Sequence, residues 1–483
     1  MKLKNLLLLG ASMAVSSAAF AHAGNTPHKK EEKVYCDASC NNKEAVTPSA
    51  YMKLTDNVFI GVHGYVHAVL NYDLDSFNGD YSQAHSYAWD NLEDKTGVNG
   101  AINSPNKKGV VSAHMKQTRL KLNMLTRTCR FGDVKGTVIT DFYADQRFAT
   151  ESNGSAHNLK DPSISGSLKL RLRQAYFTIG QWTVGQDYST FHNFPQAHTA
   201  DFVGHYGDST RQPVLRHTWT ANKMFTWENS IERPSADYIS FDSNGVNTPA
   251  GKAVTIHKTG SGQDIVEHKL PDFATRMKLT VGKGHEFALR GVAKHLSFKT
   301  QDKQKANRSS KMAYGFGTDA KIMTVKGGYV SAVLNYGRGV NQYISEYEGH
   351  SAVIDTATNK MALQTTTQWG LGLTQPFNDM WTMNLGFSRG TVHKAGMLET
   401  GLTYNVAGQS VSNGTNVMLE NAARVPTRSI ERYFANIMWT PADDLKFGLE
   451  YMHSVKKSMK DSTLTRSVKA TGKRVLATAR YSF

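Results

Sequence analysis

Arginine and lysine recur at alternate positions in several segments of this sequence, with apolar residues between them. Leu168-Lys169-Leu170-Arg171-Leu172-Arg173 is the plainest case, and Arg119 and Lys121 alternate with Leu120 and Leu122 in the same way. Arg276 and Lys278 stand against Met277 and Leu279, while Arg290, Lys294, Arg474 and Arg480 occupy similar faces further on. A row of cations on a low-dielectric wall concentrates anions. Rows and rings of Arg and Lys recur in anion and phosphate pores, and the planar guanidinium grips a carboxylate with two prongs. Asp141, Asp145, Glu228, Glu232 and Glu450 also face that way. The alternative is therefore that charges pair and merely solvate the wall, and for any single arginine both readings stand.

Other chemistries find less support. His192, His198 and His205 lack a companion carboxylate or cysteine pattern, so they read as polar lining and no metal is expected. Cys36 and Cys40 lie in CDASC; a disulfide between them suits an oxidising compartment, with Cys129 joining one of them or staying reduced. No G-x-S-x-G is present, and convergence of the many Asp and His residues is not visible in one sequence, so no enzyme activity and no cofactor are expected. The excess of 56 Lys and Arg over 40 Asp and Glu, +16, raises nucleic acid as a partner. The cations lie between apolar positions on strand faces, which is wrong for a basic surface patch.

The elements that must hold such rows are strands. Runs of about ten residues with period-2 alternation recur along the chain, the signature of a membrane-barrel strand. In the first, Val58, Ile60, Val62, Gly64, Val66, Ala68 and Leu70 share one face, with His63, Tyr65, His67 and Asn71 on the other. Another sets Val134, Gly136, Val138, Thr140 and Phe142 against Lys135, Thr137, Asp141, Tyr143 and Asp145. In Leu168 to Ile179 the apolar face switches sides midway. Either a bulge near Gln174 does this, or the second half turns small and aromatic residues inward. Further candidates bring the total to about sixteen.

Connection lengths alternate. Short links such as Gly180, Ala221-Asn222-Lys223, Gly282-Lys283-Gly284, Pro376-Phe377-Asn378-Asp379 and Pro441-Ala442-Asp443-Asp444 carry the residues tight turns need. Long ones fall at 72–114, 187–212, 234–271, 339–362, 390–431 and 455–472. The expectation is an all-β, antiparallel, up-and-down transmembrane barrel with short periplasmic turns and long extracellular loops. Within lipid every backbone polar group must be satisfied internally, which only helices and closed barrels achieve. Sixteen strands leave an aqueous lumen. A mean hydropathy of −0.44 is compatible, since alternation averages to a hydrophilic value.

The ends agree. Lys2 and Lys4, an apolar run from Leu6 to Val15 and Ala19-Phe20-Ala21 predict a signal peptide over 1–21, with Ala23 as a second cleavage position. A periplasmic segment over 22–57 and a barrel domain over 58–483 follow. The chain ends with Val475, Ala477, Ala479, Tyr481 and Phe483 on one face, similar to the assembly signal of outer-membrane proteins. The segment 187–212 is aromatic and histidine-rich: Asp187, Tyr188, Phe191, His192 and Phe194 suit a loop folded into the lumen, the alternative being an ordinary outer loop.

GDVKGTVITDFYAD, LKLRLRQAYFTIGQWTVGQDYSTF, RQPVLRHTW, LNYGRGVNQYI and the last two hairpins, FANIMWTPADDLKFGLEYMHS to ARYSF, resemble the DcaP-like porin family over most of 58–483. The resemblance implies a homotrimer of sixteen-stranded barrels in outer-membrane lipid, taking up small anionic solutes such as dicarboxylates. It implies Arg171, Arg173, Arg211 and Arg216 as pore-lining cations. Members often carry a coiled coil before the barrel; residues 24–50 here are short, Lys-rich and without heptads. The rival reading is an adhesin or structural barrel that uses its long loops against host or matrix.

Overall fold

A computed structural model describes residues 51–75, 109–142, 170–192, 195–201, 210–235, 238–241, 254–257, 267–299, 308–344, 351–355, 360–394, 427–458 and 469–483. The proposed signal peptide, Cys36, Cys40, Lys169 and Phe194 lie outside them. The strands are β1 (Met52–Thr55), β2 (Val58–Asp75), β3 (Val110–His114), β4 (Arg119–Thr128), β5 (Gly132–Asp141), β6 (Arg171–Ile179), β7 (Trp182–Tyr188) and β8 (Arg211–Thr220). They continue with β9 (Phe225–Glu232), β10 (Tyr238–Phe241), β11 (Val254–His257), β12 (Asp272–Val281), β13 (His285–Lys299), β14 (Arg308–Met323) and β15 (Tyr329–Arg338). The last are β16 (Ala352–Asp355), β17 (Lys360–Leu363), β18 (Thr365–Pro376), β19 (Trp381–Lys394), β20 (Thr427–Ala442), β21 (Leu445–Ser458) and β22 (Lys469–Ser482).

Eighteen of these form one antiparallel sheet that closes on itself where β2 pairs with β22, Tyr65 opposite Ser482 and Tyr72 opposite Val475. β3 and β4 both pair with the same side of β2 and are one barrel strand interrupted between His114 and Arg119. β1 is a short hairpin arm on β2, inside the stretch expected to precede the barrel. Setting that arm aside, the barrel has sixteen strands. Short turns gather at the end where the chain terminates, and long connections at the other. No helix of the described residues is long and apolar enough to cross a membrane; the strands cross instead.

The side-chain distribution is inside out, as lipid requires. Leu70, Leu120, Leu172, Leu289, Phe316, Leu334, Leu371 and Leu449 are exposed on the outer face, whereas Asn71, Asp141, Arg290, Asn335, Gln368 and Arg474 are buried facing the lumen. Trp381, Trp439 and Phe447 form one outward aromatic row near the turns, their rings 5.9 and 5.3 Å apart. Trp369, Phe387 and Tyr433 form another toward the loops, with spacings of 4.7 Å. Six residues separate Trp381 from Phe387, about 20 Å along a strand, which suits an apolar band bounded by aromatic girdles.

The closing seam depends on a glycine. Gly64 and Phe483 exchange backbone hydrogen bonds of 2.9 and 3.0 Å. A Cβ on Gly64 would lie 2.5 Å from the Arg119 carbonyl and 2.8 Å from the Phe483 ring. The terminal aromatic covers the space a side chain would take.

The connections 234–271 and 339–362, expected as plain loops, contain strands. β11, β10, β16 and β17 form a second sheet in that order, with β10 and β16 parallel. Ala352, Ile354, Met361 and Leu363 of this sheet join Val292, Leu296 and Phe298 on the inner face of β13, together with Ala313, Val340 and Tyr343, in one apolar cluster. The lumen is therefore filled on the β12–β15 side toward the loop end.

Candidate functional site: the lumen and its strap

The switch of faces in β6 is a bulge. Ile139 pairs with Gln174 but Thr140 pairs with Leu172, so Arg173 is the extra residue. Arg173 and Gln174 are both buried as a result, and Arg171 and Arg173 converge on one carboxylate. Arg171 donates two bonds to Asp141, at 2.8 and 2.7 Å, and Arg173 Nη1 adds a third at 2.9 Å. Two guanidinium groups thus meet on one carboxylate.

The segment after β7 crosses the interior. Thr190–His192 makes a single 3-10 turn against the wall: the Thr190 N–H donates to Glu232 and Arg290 Nη1 donates to the Phe191 carbonyl at 2.5 Å. Further on, Tyr329 OH donates to the Gln196 carbonyl at 2.8 Å. The Ala200 N–H then donates to Glu450 Oε2 at 2.7 Å, and Asn436 Nδ2 donates to the His198 carbonyl at 2.7 Å. Thr478 Oγ1 donates to the Ala200 carbonyl. The strap therefore runs from β7, past β15, to inward side chains of β20, β21 and β22.

Residues expected to line a constriction behave differently from one another. Asp187 and Tyr188 belong to the end of β7. Phe191 and His192 are fully buried and cannot touch a solute. Phe191 is part of the apolar cluster, and His192 Nδ1 accepts the Thr210 N–H. These two pin the strap. Among the described residues of the strap, the exposed one is His198, beyond them in sequence. Burial, then Lys446, Arg480 and Lys321, hold its pKa below the ordinary value.

Most of the expected pore-lining cations point inward but are tied to carboxylates. Arg216 bonds Asp187 at 3.0 Å and Thr190 Oγ1 at 2.9 Å. Arg290 bonds Asp319 at 2.7 Å, and Arg276 lies 3.6 Å from Asp319 and 3.7 Å from Glu228. Lys294 reaches Asp272 at 3.1 Å, Gln342 and the Ser235 carbonyl. Arg474 is held by Asp73. The side chains of Arg290 and Lys294 are 0% exposed, so they support the wall rather than line water. Buried charges without partners would be costly, and these five cations each meet a carboxylate. Arg211 is out of phase with the inward Gln212, Val214 and Arg216; its guanidinium lies over Tyr188 at 5.4 Å. Arg119, Lys121 and Lys278 have no carboxylate at ion-pair distance among the described residues. Cys129 is exposed beside the β4–β5 turn, and no metal-holding cluster of His, Cys, Asp and Glu occurs among the described residues.

One inward group escaped the sequence reading. Tyr65 stands between Arg119, 5.3 Å from its ring centre, and Arg480, 4.6 Å from it. Tyr65 is visible on the inward face of the first strand, but its neighbours come from β4 and β22, which only the closed barrel brings together.

Residues 53–477 match the porin subfamily. The outer-membrane channel DcaP of Acinetobacter baumannii has the same fold with a TM-score of 0.62 and 18% identity, covering 90% of this chain and all of that one. OmpF of Salmonella typhi aligns at 10% identity and a TM-score of 0.45, over 90% of this chain and 100% of that one. OmpT of Vibrio cholerae aligns at 9% and 0.44, over 90% and 99%. No curated protein matches.

Proposed function

The chain belongs to the porin subfamily, and from that premise we propose that it forms a water-filled outer-membrane channel for passive uptake of small anionic solutes of the dicarboxylate kind. The supporting observation is the wall beside the strap. Arg171 and Arg173 both bond Asp141, and Arg119, Lys121 and Lys278 have no carboxylate at ion-pair distance among the described residues. A basic wall near a narrowing raises the local concentration of anions and selects them by charge. Strap and apolar cluster together reduce the open cross-section, which keeps permeant solutes small.

Export through cleavage after Ala21 and assembly as a homotrimer belong to the same proposal. N-terminal sequencing of the mature protein and native mass measurement of the detergent-extracted protein test them.

The deciding measurement is single-channel current in a planar bilayer under a salt gradient. Stepwise conductance with a reversal potential on the anion side is the expected result. A barrel without conductance overturns the channel, and cation selectivity overturns the assignment of the basic wall.

A further inference from the structure

The barrel wall over β18–β21 carries different charges at its two ends. Beyond the aromatic row at the turn end stand Asp379, Asp443 and Asp444, with Lys446. Beyond the row at the loop end, Arg389, Arg428 and Lys457 are accompanied by one carboxylate, Glu431. Glu450, the other carboxylate of these four strands, is buried inside the barrel.

The loop-end cluster is assembled across the ladder. Arg389 lies opposite Trp369 on one side and Glu431 on the other, so all three project outward. The row of Trp369, Phe387 and Tyr433 marks the membrane surface, where amphipathic rings settle. Arg389 is two residues beyond Phe387, and Glu431 two beyond Tyr433, about 7 Å further along their strands. That is headgroup depth, where a charge on the outer face escapes the penalty it meets at mid-membrane. Glu431 meets Arg389 Nε at 3.5 Å and accepts the Tyr433 hydroxyl at 3.3 Å. Arg389 makes no other ion pair or hydrogen bond among the described residues, and its side chain is 42% exposed. Its two Nη groups therefore keep donors for a further oxygen anion. Thr367 Oγ1 and His393 Nε2 lie 2.6 Å apart, and Arg428 Nη1 donates to the His393 carbonyl at 3.0 Å. A second guanidinium is thus tied at the rim of the same strands. Lys457 stands opposite Ser429 on β21.

We propose that this corner of the outer wall holds a phosphorylated lipid of the outer leaflet. Arg389 grips the phosphate, Arg428 and Lys457 add charge at the rim, and the aromatic row lies along the lipid below. A guanidinium meets a phosphate with two parallel donors, and basic pockets on membrane proteins bind anionic headgroups. Glu431 orients Arg389 but repels the phosphate, so it holds the affinity down. The site is on the outside of the barrel and is indifferent to which solute passes through the lumen.

The test uses the full-length protein in detergent, titrated with lipid A and read by native mass spectrometry as the fraction carrying a lipid adduct. Phosphate-stripped lipid A is the second probe, and heat-modifiable mobility reports that each variant is a closed barrel. Arg389→Gln should lower the adduct several-fold. Arg389→Lys should lower it less, since the charge stays and the two-pronged grip goes. Glu431→Gln should raise it by removing the carboxylate beside the phosphate. Lys283→Gln, in the turn between β12 and β13 at the other end of the barrel, should leave it unchanged. The opposite signs at Arg389 and Glu431 separate a lipid site from a structural ion pair, which either substitution would weaken alike. An adduct as abundant in Arg389→Gln as in wild type overturns the site. So does an equal loss in Lys283→Gln, or an equal adduct with the phosphate-stripped lipid. A wild type that takes up no lipid A, but whose oligomer mass is lost in Arg389→Gln, overturns it too and assigns the face to a second copy of the chain.

Discussion

Asp319 holds two arginines from different strands, Arg290 of β13 at 2.7 Å and Arg276 of β12 at 3.6 Å. Removing its charge leaves Arg290 buried without its closest anion, a loss that costs about 3–5 kcal/mol in comparable buried pairs. Asp319→Asn is expected to lower resistance to thermal unfolding by that order, followed by heat-modifiable gel mobility, and to loosen the strap because Arg290 also holds the Phe191 carbonyl. An unchanged transition would show that water in the lumen already solvates the pair. At this scale the sequence is half legible. Alternation tells which cations face inward, as with Arg276 and Arg290, because a charge on the lipid face is penalised. It does not tell which are quenched. The partner of Arg290 is two positions beyond its ladder mate Gly317, a relation set by the β13–β14 register. A Cβ on that glycine would lie 2.9 Å from the guanidinium carbon, so the arginine's path along the wall depends on it.

Among the elements, the seam between β2 and β22 joins strands from opposite ends of the chain, and its tolerance is small. Gly64→Val would drive a side chain into the Arg119 carbonyl and the Phe483 ring, and neither strand can yield without breaking the Gly64–Phe483 hydrogen bonds. The expectation is loss of the folded, heat-modifiable band from outer membranes, with Gly64→Ala intermediate. Normal assembly of the valine variant would mean that the seam can slide. Strand existence was legible wherever lipid imposes alternation, including the face switch in β6, for which the sequence left two explanations open. The bulge at Arg173 decides between them, and it is a matter of pairing with β5. The strands of the second sheet were not legible. They are four residues long each, carry no lipid-imposed period, and β10 meets its parallel partner β16 only after more than a hundred residues of intervening chain.

For the whole molecule, the consequence is a barrel whose interior is divided. One side is closed by an apolar cluster to which the strap contributes Phe191 and the second sheet contributes Ile354, Met361 and Leu363. The other side carries the inward cations of β4 and β6. Apolar packing inside a polar lumen is stable because these groups bury one another, and burying an unpaired charge there is expensive. Ile354 is 1% exposed, so Ile354→Asp should expel the second sheet from the cluster while the barrel, held by its own ladder, stays closed. The predicted outcome is a larger single-channel conductance with unchanged heat-modifiability, and Phe191→Ala should act in the same direction by releasing the near anchor of the strap. Because Glu450, Asn436 and Thr478 still hold the far anchor, the two substitutions together should raise conductance beyond either alone. If Ile354→Asp leaves the conductance at the wild-type value, the open path does not run beside the cluster, and the division of the lumen argued from these contacts fails.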